Sequence, residues 1–343
     1  GTMEEFYNVL KAFKTQDPNG NGREDEIPFS AIANFDKIDY SLFSIFGAFG
    51  VATDMNGFII EGGQVKFAPM QDGWKEACKY FNRLYTEGLL DNECFTQDES
   101  LYTAKGQQED ETYGALIGYN AMNYVGQDCK EDYVAIPIPA GPEGKQSIYK
   151  NSYNGVTKNS VILTSNNKYP EITMKWIDYV YSPEKSVEAS YGPIGYNVQY
   201  NDDGVLELIT TSPEGMTFGE WRNKWSLATT CPTICVQADL QEAGIFAGNP
   251  NGFSKLEECD MYDAYAVEEV MPPVYLEMED ASEVSMIKSD IMGQALQMTA
   301  RWISGGSDVD ADWDSYVETL NRIGVETYVS IYQKAYDQYL ANK

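Results

Sequence analysis

The sequence predicts an α/β fold, and three observations lead to that prediction. Short apolar runs typical of buried strands alternate with segments that repeat apolar residues at helical spacing. The chain has 343 residues, which is enough for one large domain or two ordinary ones with a substantial core. Its six cysteines are too few and too scattered for a disulfide scaffold, so the stability has to come from packing, although one or two bridges are compatible with the sequence.

The first half of the chain is predicted to begin on a helix. Thr2 and Glu5 have the spacing of a capping box, and apolar residues recur at helical spacing after them. Residues 74–85 predict a second helix, which Gly88 would end. The other predicted elements are an apolar, glycine-interrupted segment at 40–51, a hairpin around Asn56-Gly57 and short buried strands at 114–119 and 133–138.

The second half continues the alternation and ends on helices. A strand is predicted at 161–163, and Pro170 and Pro183 each open a helix because proline fits the first helical turn. Residues 198–209 have the pattern of a hairpin. Three amphipathic helices are predicted to finish the chain, at 290–303, 313–320 and 325–340.

The net charge and the missing histidine exclude several classes of function. With 53 acidic and 24 basic residues the formal net charge is -29, which repels nucleic acids and anionic lipid head groups. Because the chain has no histidine, a Ser-His-Asp triad, a Cys-His pair and a histidine zinc site are excluded. Any catalysis would have to use carboxylate, Lys, Tyr or Cys side chains.

The stretch DPNGNGREDE, residues 17–26, has the spacing of the first part of an EF-hand calcium loop. Counted from the first aspartate, a glycine occupies position 6, where the loop has to turn sharply. Hard oxygen ligands favour Ca²⁺ over zinc or copper. Position 12 is Pro28 in place of the usual glutamate, and the alternative interpretation is a solvated loop after a helix. The candidate ligands are Asp17, Asn19, Asn21, Asp25 and Glu26.

A second acidic run, Asp308-x-Asp310-x-Asp312, is interpreted as helix capping. Trp313 stands where a calcium loop needs glycine. The run also precedes a predicted helix, whose N-terminus favours negative charge. No metal is therefore predicted there.

Five blocks of the sequence, taken in order, resemble the extracellular solute-binding lipoproteins of ABC sugar importers, which are related to maltose-binding and alginate-binding proteins. The resemblance runs from Thr2 to the C-terminus and implies a two-lobed, periplasmic-binding-protein-like (type II) α/β fold that closes on a sugar by hinge motion, with an incomplete first lobe. The blocks are DPNGNGREDEIPFS, WKEACKYFNRLYTEGLLDNECFTQD, YPEITMKWIDYVYSPE, YGPIGYNVQYNDDG and ARWISGGSDVDADWDSYVETL.

The resemblance also implies a lobe order, a metal and a setting. Residues 1–146 would belong to the second lobe, 147–200 would return to the first, and 201–343 would complete the second with the C-terminal helices. The matching loop of the alginate-binding relatives carries structural Ca²⁺, with Arg23 contributing a carbonyl here. The implied protein is a monomer on the cell surface, held by a lipid anchor that lies outside these residues, and its partners are ABC permease membrane subunits.

The candidate sugar contacts are aromatic and polar side chains in loops or at helix ends. For Tyr40, Tyr119 and Asn120 the resemblance to maltose-binding proteins implies the contact, and Tyr153, Asn154 and Tyr196 lie near the lobe crossings that it implies. A flat ring matches the C–H face of a sugar, and neighbouring polar groups bond the hydroxyls. For the segment 221–225, an ordinary amphipathic helix is the alternative. Trp176, Trp302 and Trp313 are predicted to lie in the core. The candidate contacts are Tyr40, Tyr119, Asn120, Tyr153, Asn154, Tyr196, Trp221, Arg222 and Trp225.

Three functions stay open on the sequence. The first is the capture of an oligosaccharide, and a neutral one, because the charge of this chain would repel a polyanion. The second is a glycoside hydrolase with two carboxylates about 5 to 9 Å apart. The third is a peptide-binding surface lipoprotein. No carboxylate pair stands out and the resemblance disfavours a hydrolase, so we expect no enzyme and no catalytic residue.

Overall fold

The computed structural model describes most of the chain, in several ranges. These are residues 1–108, 112–126, 129, 132–150, 161–211, 213, 216, 218–227, 233, 237–248 and 260–342. The chain divides into two compact units, of which the first comprises residues 1–152 and 258–343 and the second residues 153–257. The second unit extends past the boundary expected at 200, and the assignment of the units to lobes stays a prediction.

Helices make up most of the regular secondary structure in the described ranges. Three short 3₁₀-helical segments, at Ile38–Tyr40, Leu42–Phe49 and Ala68–Met70, supplement them. In chain order the helices are α1 Met3–Thr15, α2 Asp72–Thr86, α3 Glu99–Gly106, α4 Ala121–Val125, α5 Pro170–Val180, α6 Pro183–Tyr191, α7 Phe218–Trp225, α8 Gln237–Glu242, α9 Met278–Ile303, α10 Val309–Ile323 and α11 Val325–Ala341.

The helix ends confirm the local signals in the sequence. At the start of α1 the Thr2 hydroxyl accepts a hydrogen bond from the Glu5 amide at 3.1 Å, and the Glu5 carboxylate accepts one from the Thr2 amide at 2.7 Å. At the start of α10 the Asp308 carboxylate accepts the Ala311 amide at 2.9 Å, so the second acidic run is a helix cap as predicted. Helix α9 begins twelve residues before the predicted position, because the polar stretch from Met278 continues the same helix.

The described strands form two antiparallel hairpins. Strands β1 (Phe58–Glu61) and β2 (Gln64–Phe67) pair in the first unit, and β3 (Val198–Tyr200) and β4 (Leu206–Leu208) pair in the second. The hairpin at 198–209 is confirmed. The turn expected at Asn56-Gly57 lies instead at Gly62-Gly63, the two residues between β1 and β2. Asn56 instead belongs to a turn in which the Asp54 carboxylate accepts the amides of Asn56 and Phe58.

Three predicted strands do not form ladders in the described residues. The segment 114–119 contributes only a single parallel bridge, between Leu116 and Ser30, and 133–138 and 161–163 pair with nothing described. The apolar segment 40–51 is largely 3₁₀-helical. An apolar run predicts a strand, but a ladder also needs a neighbour over several residues, and local sequence does not carry that information.

The core of the first unit centres on Trp74 in α2. Its ring packs against Phe35, Phe43 and Phe46, with centroid separations of 4.6 to 5.7 Å, and its indole N–H donates to the Thr299 hydroxyl at 2.9 Å. These contacts join α2 to the 3₁₀ segments and to α9. None of the helices in the described ranges is long and apolar enough to cross a membrane.

Two of the three tryptophans assigned to the core are buried there. Trp302 and Trp313 pack against each other between α9 and α10. The assignment of Trp176 is wrong, because its side chain is 55% exposed. Helix α5 buries Ile177 and Val180, and Trp176, one turn before Val180, lies at the solvent-exposed edge of that buried side.

Candidate functional site

The loop 17–26 leaves α1 and turns back over the side chain of Asp17. The Asp17 carboxylate accepts the amides of Asn21 at 3.1 Å and Gly22 at 2.9 Å. Asp17 itself has a φ of 43° and Gly22 a φ of 75°. The left-handed backbone at Gly22 is easily adopted by glycine and strained for other residues, which explains the glycine at this position.

The predicted calcium ligands of this loop are half-buried, and one carboxylate oxygen has no partner. Oε1 of Glu26 is buried without a hydrogen bond, an arrangement that costs free energy unless something binds it. The Asn21 amide donates to both oxygens of Asp25 at 3.2 Å. Within the described ranges, no three Asp, Glu or Cys side chains already converge as ligands would around an ion.

The chain leaves the loop as a segment, residues 27–32, that is bridged on two sides. Ile27 and Ser30 form parallel bridges to Tyr113 and Leu116, and Phe29 forms one to Leu90. The loop is therefore tied to the residues immediately before Tyr119.

A buried polar network lies along this segment, around Asp91. Its carboxylate accepts hydrogen bonds from the Ser30 hydroxyl at 2.6 Å, the Lys105 ammonium at 2.5 Å and the Gln97 amide at 3.2 Å. The side chains of Asp91 and Lys105 are only 6% and 13% exposed. Burial would raise the pKa of Asp91, but the hydrogen bonds from Lys105 and Ser30 outweigh it and hold the pKa below its usual value.

No pattern in the sequence predicts this network. Asp91 and Lys105 are separated along the chain and match no motif. Only the fold of 27–32 against α3 brings them together, so no local signal could have found them.

Two of the predicted sugar contacts, Tyr40 and Tyr119, form an exposed aromatic pair on the first unit. Their ring centroids are 5.5 Å apart in an edge-to-face arrangement, and the side chains are 37% and 47% exposed. Tyr40 ends a 3₁₀ segment, and Tyr119 follows a stretch held by the Tyr102 hydroxyl, which donates to the Ile117 carbonyl at 2.9 Å. Asn120 lies beside this pair and is half-buried.

A second exposed aromatic pair, Tyr196 and Trp225, lies on the second unit. The ring centroids are 5.4 Å apart, and the side chains are 57% and 45% exposed. Tyr196 sits in the tight loop between α6 and β3, which begins at Gly192 with a φ of 116°. A Cβ at Gly192 would come within 2.4 Å of Oδ1 of Asn197, so this loop needs glycine there.

The remaining candidates have different surroundings. Trp221 is buried, which is the placement expected of an amphipathic helix. Arg222 ties α7 to α6, since its Nε donates to the Ser190 carbonyl at 2.8 Å and its guanidinium lies 4.9 Å from the Tyr191 ring centroid. Tyr153 and Asn154 lie outside the described residues.

Comparison with known proteins identifies relatives of the whole chain, although no family model matches it. The chain is 31% identical to the fructooligosaccharide ABC transporter substrate-binding protein FusA of Streptococcus pneumoniae, in an alignment of 349 residues that takes in 100% of this chain and 63% of FusA. A solved structure of S. pneumoniae FusA in complex with kestose has a TM-score of 0.86 at 30% identity and is matched over 69% of its length. A FusA EF-hand mutant in complex with fructo-nystose gives the same values.

A more distant solved structure has the same fold. The extracellular solute-binding protein from Bifidobacterium longum subsp. infantis has a TM-score of 0.77 at 25% identity, covering 98% of this chain and 70% of that one. The chain thus spans about two thirds of the length of these relatives, which are substrate-binding transport proteins. The predicted resemblance and the predicted solute-binding-protein fold are confirmed. The chain belongs to the family of substrate-binding proteins of ABC transporters.

Proposed function

We propose that this chain is part of an extracytoplasmic protein that captures a neutral oligosaccharide and delivers it to an ABC permease. The observation that carries the proposal is the match of the entire chain to FusA, whose solved structures hold kestose and fructo-nystose. The formal net charge of -29 supports a neutral ligand, because an anionic sugar would meet a repulsive field. In this proposal the protein is a monomeric cell-surface lipoprotein.

The two exposed aromatic pairs are the proposed sugar platforms. Tyr40 with Tyr119 and Tyr196 with Trp225 each present ring faces beside polar groups, the combination that suits the C–H face and the hydroxyls of a sugar. Asn120 and Arg222 are proposed to bond ligand hydroxyls. Trp221 packs inside its unit and would support Trp225 rather than stack on a sugar.

We also propose that the loop 17–26 holds a structural Ca²⁺. The oxygens of Asp17, Asn19, Asn21, Asp25 and Glu26, with the Arg23 carbonyl, are the hard ligands that Ca²⁺ prefers. The unpartnered Glu26 oxygen supports the fit, and so does the EF-hand of the relative FusA, whose EF-hand mutant has been solved. The ion would neutralise the loop carboxylates. With the ion bound, the loop would fix the start of the segment 27–32. The bridges of that segment would in turn fix the position of Tyr119.

Replacing Tyr196 with alanine is expected to weaken the binding of kestose about tenfold, which corresponds to ~1.4 kcal/mol. The substitution removes one ring of the second aromatic pair and leaves the adjoining helices untouched. The measurement is isothermal titration calorimetry with kestose on the unchanged chain and on the variant.

The matched control is Tyr200→Ala. Tyr200 lies in the same unit and is 49% exposed, close to the exposure of Tyr196. Within the described residues it pairs with no aromatic ring, and its hydroxyl donates to Glu184. We expect Tyr200→Ala to bind kestose like the unchanged chain. Equal losses in the two variants, or no loss in Tyr196→Ala, would remove the second pair from the sugar site.

A further inference from the structure

Asparagine is followed by glycine five times in the sequence, and three of these pairs lie in the described ranges: Asn19-Gly20, Asn21-Gly22 and Asn56-Gly57. In such a pair the glycine amide nitrogen can attack the side-chain carbonyl carbon of the asparagine, because glycine has no side chain to obstruct the approach. The three pairs share this local chemistry, so a difference in their reactivity has to come from the fold.

The fold protects Asn56-Gly57. The side-chain amide of Asn56 donates to Oδ2 of Asp54 at 3.1 Å, and its oxygen accepts from the Lys288 ammonium at 2.6 Å. The Gly57 amide donates to the Asp54 carbonyl at 3.0 Å. Gly57 is also buried, and a Cβ there would come within 2.5 Å of the Phe67 ring. The reacting groups can meet only after this turn opens.

Asn21-Gly22 is more accessible but is held by carboxylates. The Asn21 amide donates to both oxygens of Asp25 at 3.2 Å, and its oxygen accepts the Arg23 amide at 2.7 Å. The Gly22 amide donates to the Asp17 carboxylate at 2.9 Å. An N–H that is bonded to a carboxylate loses its proton less readily, because the neighbouring negative charge disfavours the anion. The attack on Asn21 is therefore slowed.

Asn19-Gly20 has the surroundings that favour the reaction most. The Gly20 amide donates to a neutral acceptor, the Asp17 carbonyl, at 3.1 Å. Gly20 is exposed, and a Cβ there would meet no described atom within 4 Å, so water and base can reach this part of the backbone. The Asn19 side-chain oxygen accepts the Asn21 amide at 3.1 Å, which draws electron density from the carbon to be attacked.

We infer that Asn19 is a site of spontaneous deamidation. The Gly20 nitrogen gives up its proton and bonds to Cγ of Asn19, and Nδ2 leaves as ammonia. One water molecule then opens the cyclic imide to aspartate or isoaspartate. Either product places a new carboxylate among those of the loop 17–26, and isoaspartate also lengthens the backbone of the turn that begins at Asp17. The inference does not depend on whether the loop holds an ion.

The test is an incubation of the chain at mildly alkaline pH in EDTA, followed by peptide mapping with mass spectrometry. EDTA keeps the result independent of the proposed Ca²⁺. We expect Asn19 to be converted about tenfold faster than Asn56 in the folded chain, with Asn21 between them, because Asn56 reacts only through local opening. In concentrated urea the three rates should become similar, since glycine follows each asparagine.

The matched variant is Asp17→Asn, which keeps an oxygen acceptor for the Gly22 amide but removes its charge. We expect Asn21 to be converted about threefold faster in this variant, while Asn56 keeps its rate. The substituted residue itself cannot close the same ring, because Pro18 has no N–H.

Three results would overturn the inference. They are a conversion of Asn19 no faster than that of Asn56 in the folded chain, a conversion of Asn21 faster than that of Asn19, and the same order of rates in urea as in the folded chain. An unchanged rate of Asn21 in Asp17→Asn would contradict the role given to the carboxylate.

Discussion

Replacing Asp91 with asparagine is expected to lower the free energy of unfolding of this protein by about 1.5–3 kcal/mol. Asp91 accepts hydrogen bonds from Ser30, Gln97 and Lys105, and the variant leaves the buried Lys105 ammonium facing a neutral amide. The Lys105 ammonium would keep only the half-exposed Glu93 carboxylate, at 3.2 Å, as a charged partner, and the hydrogen bonds to the buried Asp91 carboxylate would be weakened or lost. The measurement is urea denaturation at pH 7.

The control for this prediction is Asp310→Asn. Asp310 also forms ion pairs, with Lys75 and Lys79, but its side chain is 57% exposed. Exposed pairs contribute little because water and salt screen them. We expect Asp310→Asn to leave the denaturation midpoint nearly unchanged, and equal effects of the two variants would mean that the Asp91 network is no more important than a surface pair.

The effect of Asp91→Asn should also depend on pH. The pKa of Asp91 is lower in the folded protein than its ordinary value of 3.8, so its stabilising contribution is fully present above that value. The contribution is lost as the pH falls through the folded-state pKa. The difference in stability between the two proteins should therefore shrink on acidification, and a difference that grew at low pH would contradict the ion-pair explanation.

Removing Ca²⁺ is expected to lower the melting temperature by roughly 5 to 10 °C. An ion present at about 100 times its dissociation constant stabilises the folded state by ~2.7 kcal/mol, and a unit of this size loses a few degrees per kcal/mol. The buried Oε1 of Glu26 would lose its partner when the ion leaves. The measurement is calorimetric unfolding in excess Ca²⁺ and in EDTA.

The matched pair of variants for the calcium prediction lies within the loop. Glu26→Gln removes the charge of the half-buried ligand, whereas Glu24→Gln removes the same charge from an exposed side chain two residues earlier. We expect the difference in melting temperature between excess Ca²⁺ and EDTA to become much smaller in Glu26→Gln and to stay the same in Glu24→Gln. An unchanged melting temperature in EDTA, with both variants alike, would mean that the loop binds no ion.

The parts of the fold that could be predicted are those with a local cause. The capping box at Thr2, the prolines that open α5 and α6, and the cap at Asp308 each act through neighbours in sequence. The runs at 114–119 and 161–163 were predicted as strands from their apolar side chains alone. Whether such a run pairs depends on segments distant in sequence, which is why Ile162 is exposed against expectation.

The candidate site likewise has parts that the sequence predicts and parts that it does not. Oxygen spacing and a glycine marked the loop 17–26 without any knowledge of the fold, whereas Tyr196 and Trp225 could be named only as separate candidates. Their pairing depends on how α7 returns to the loop after α6. The contact between Asp91 and Lys105 had no signal at all, because two common charged residues at an arbitrary separation are not a pattern.

The most direct test of oligosaccharide capture is a calorimetric titration of the unchanged chain, in excess Ca²⁺, with nystose and separately with polygalacturonate. We expect saturable binding of nystose at one site per chain and no binding of the polyanion, because the ligand is proposed to be neutral. Saturable binding of polygalacturonate, with nystose giving only heats of dilution, would contradict the proposed function.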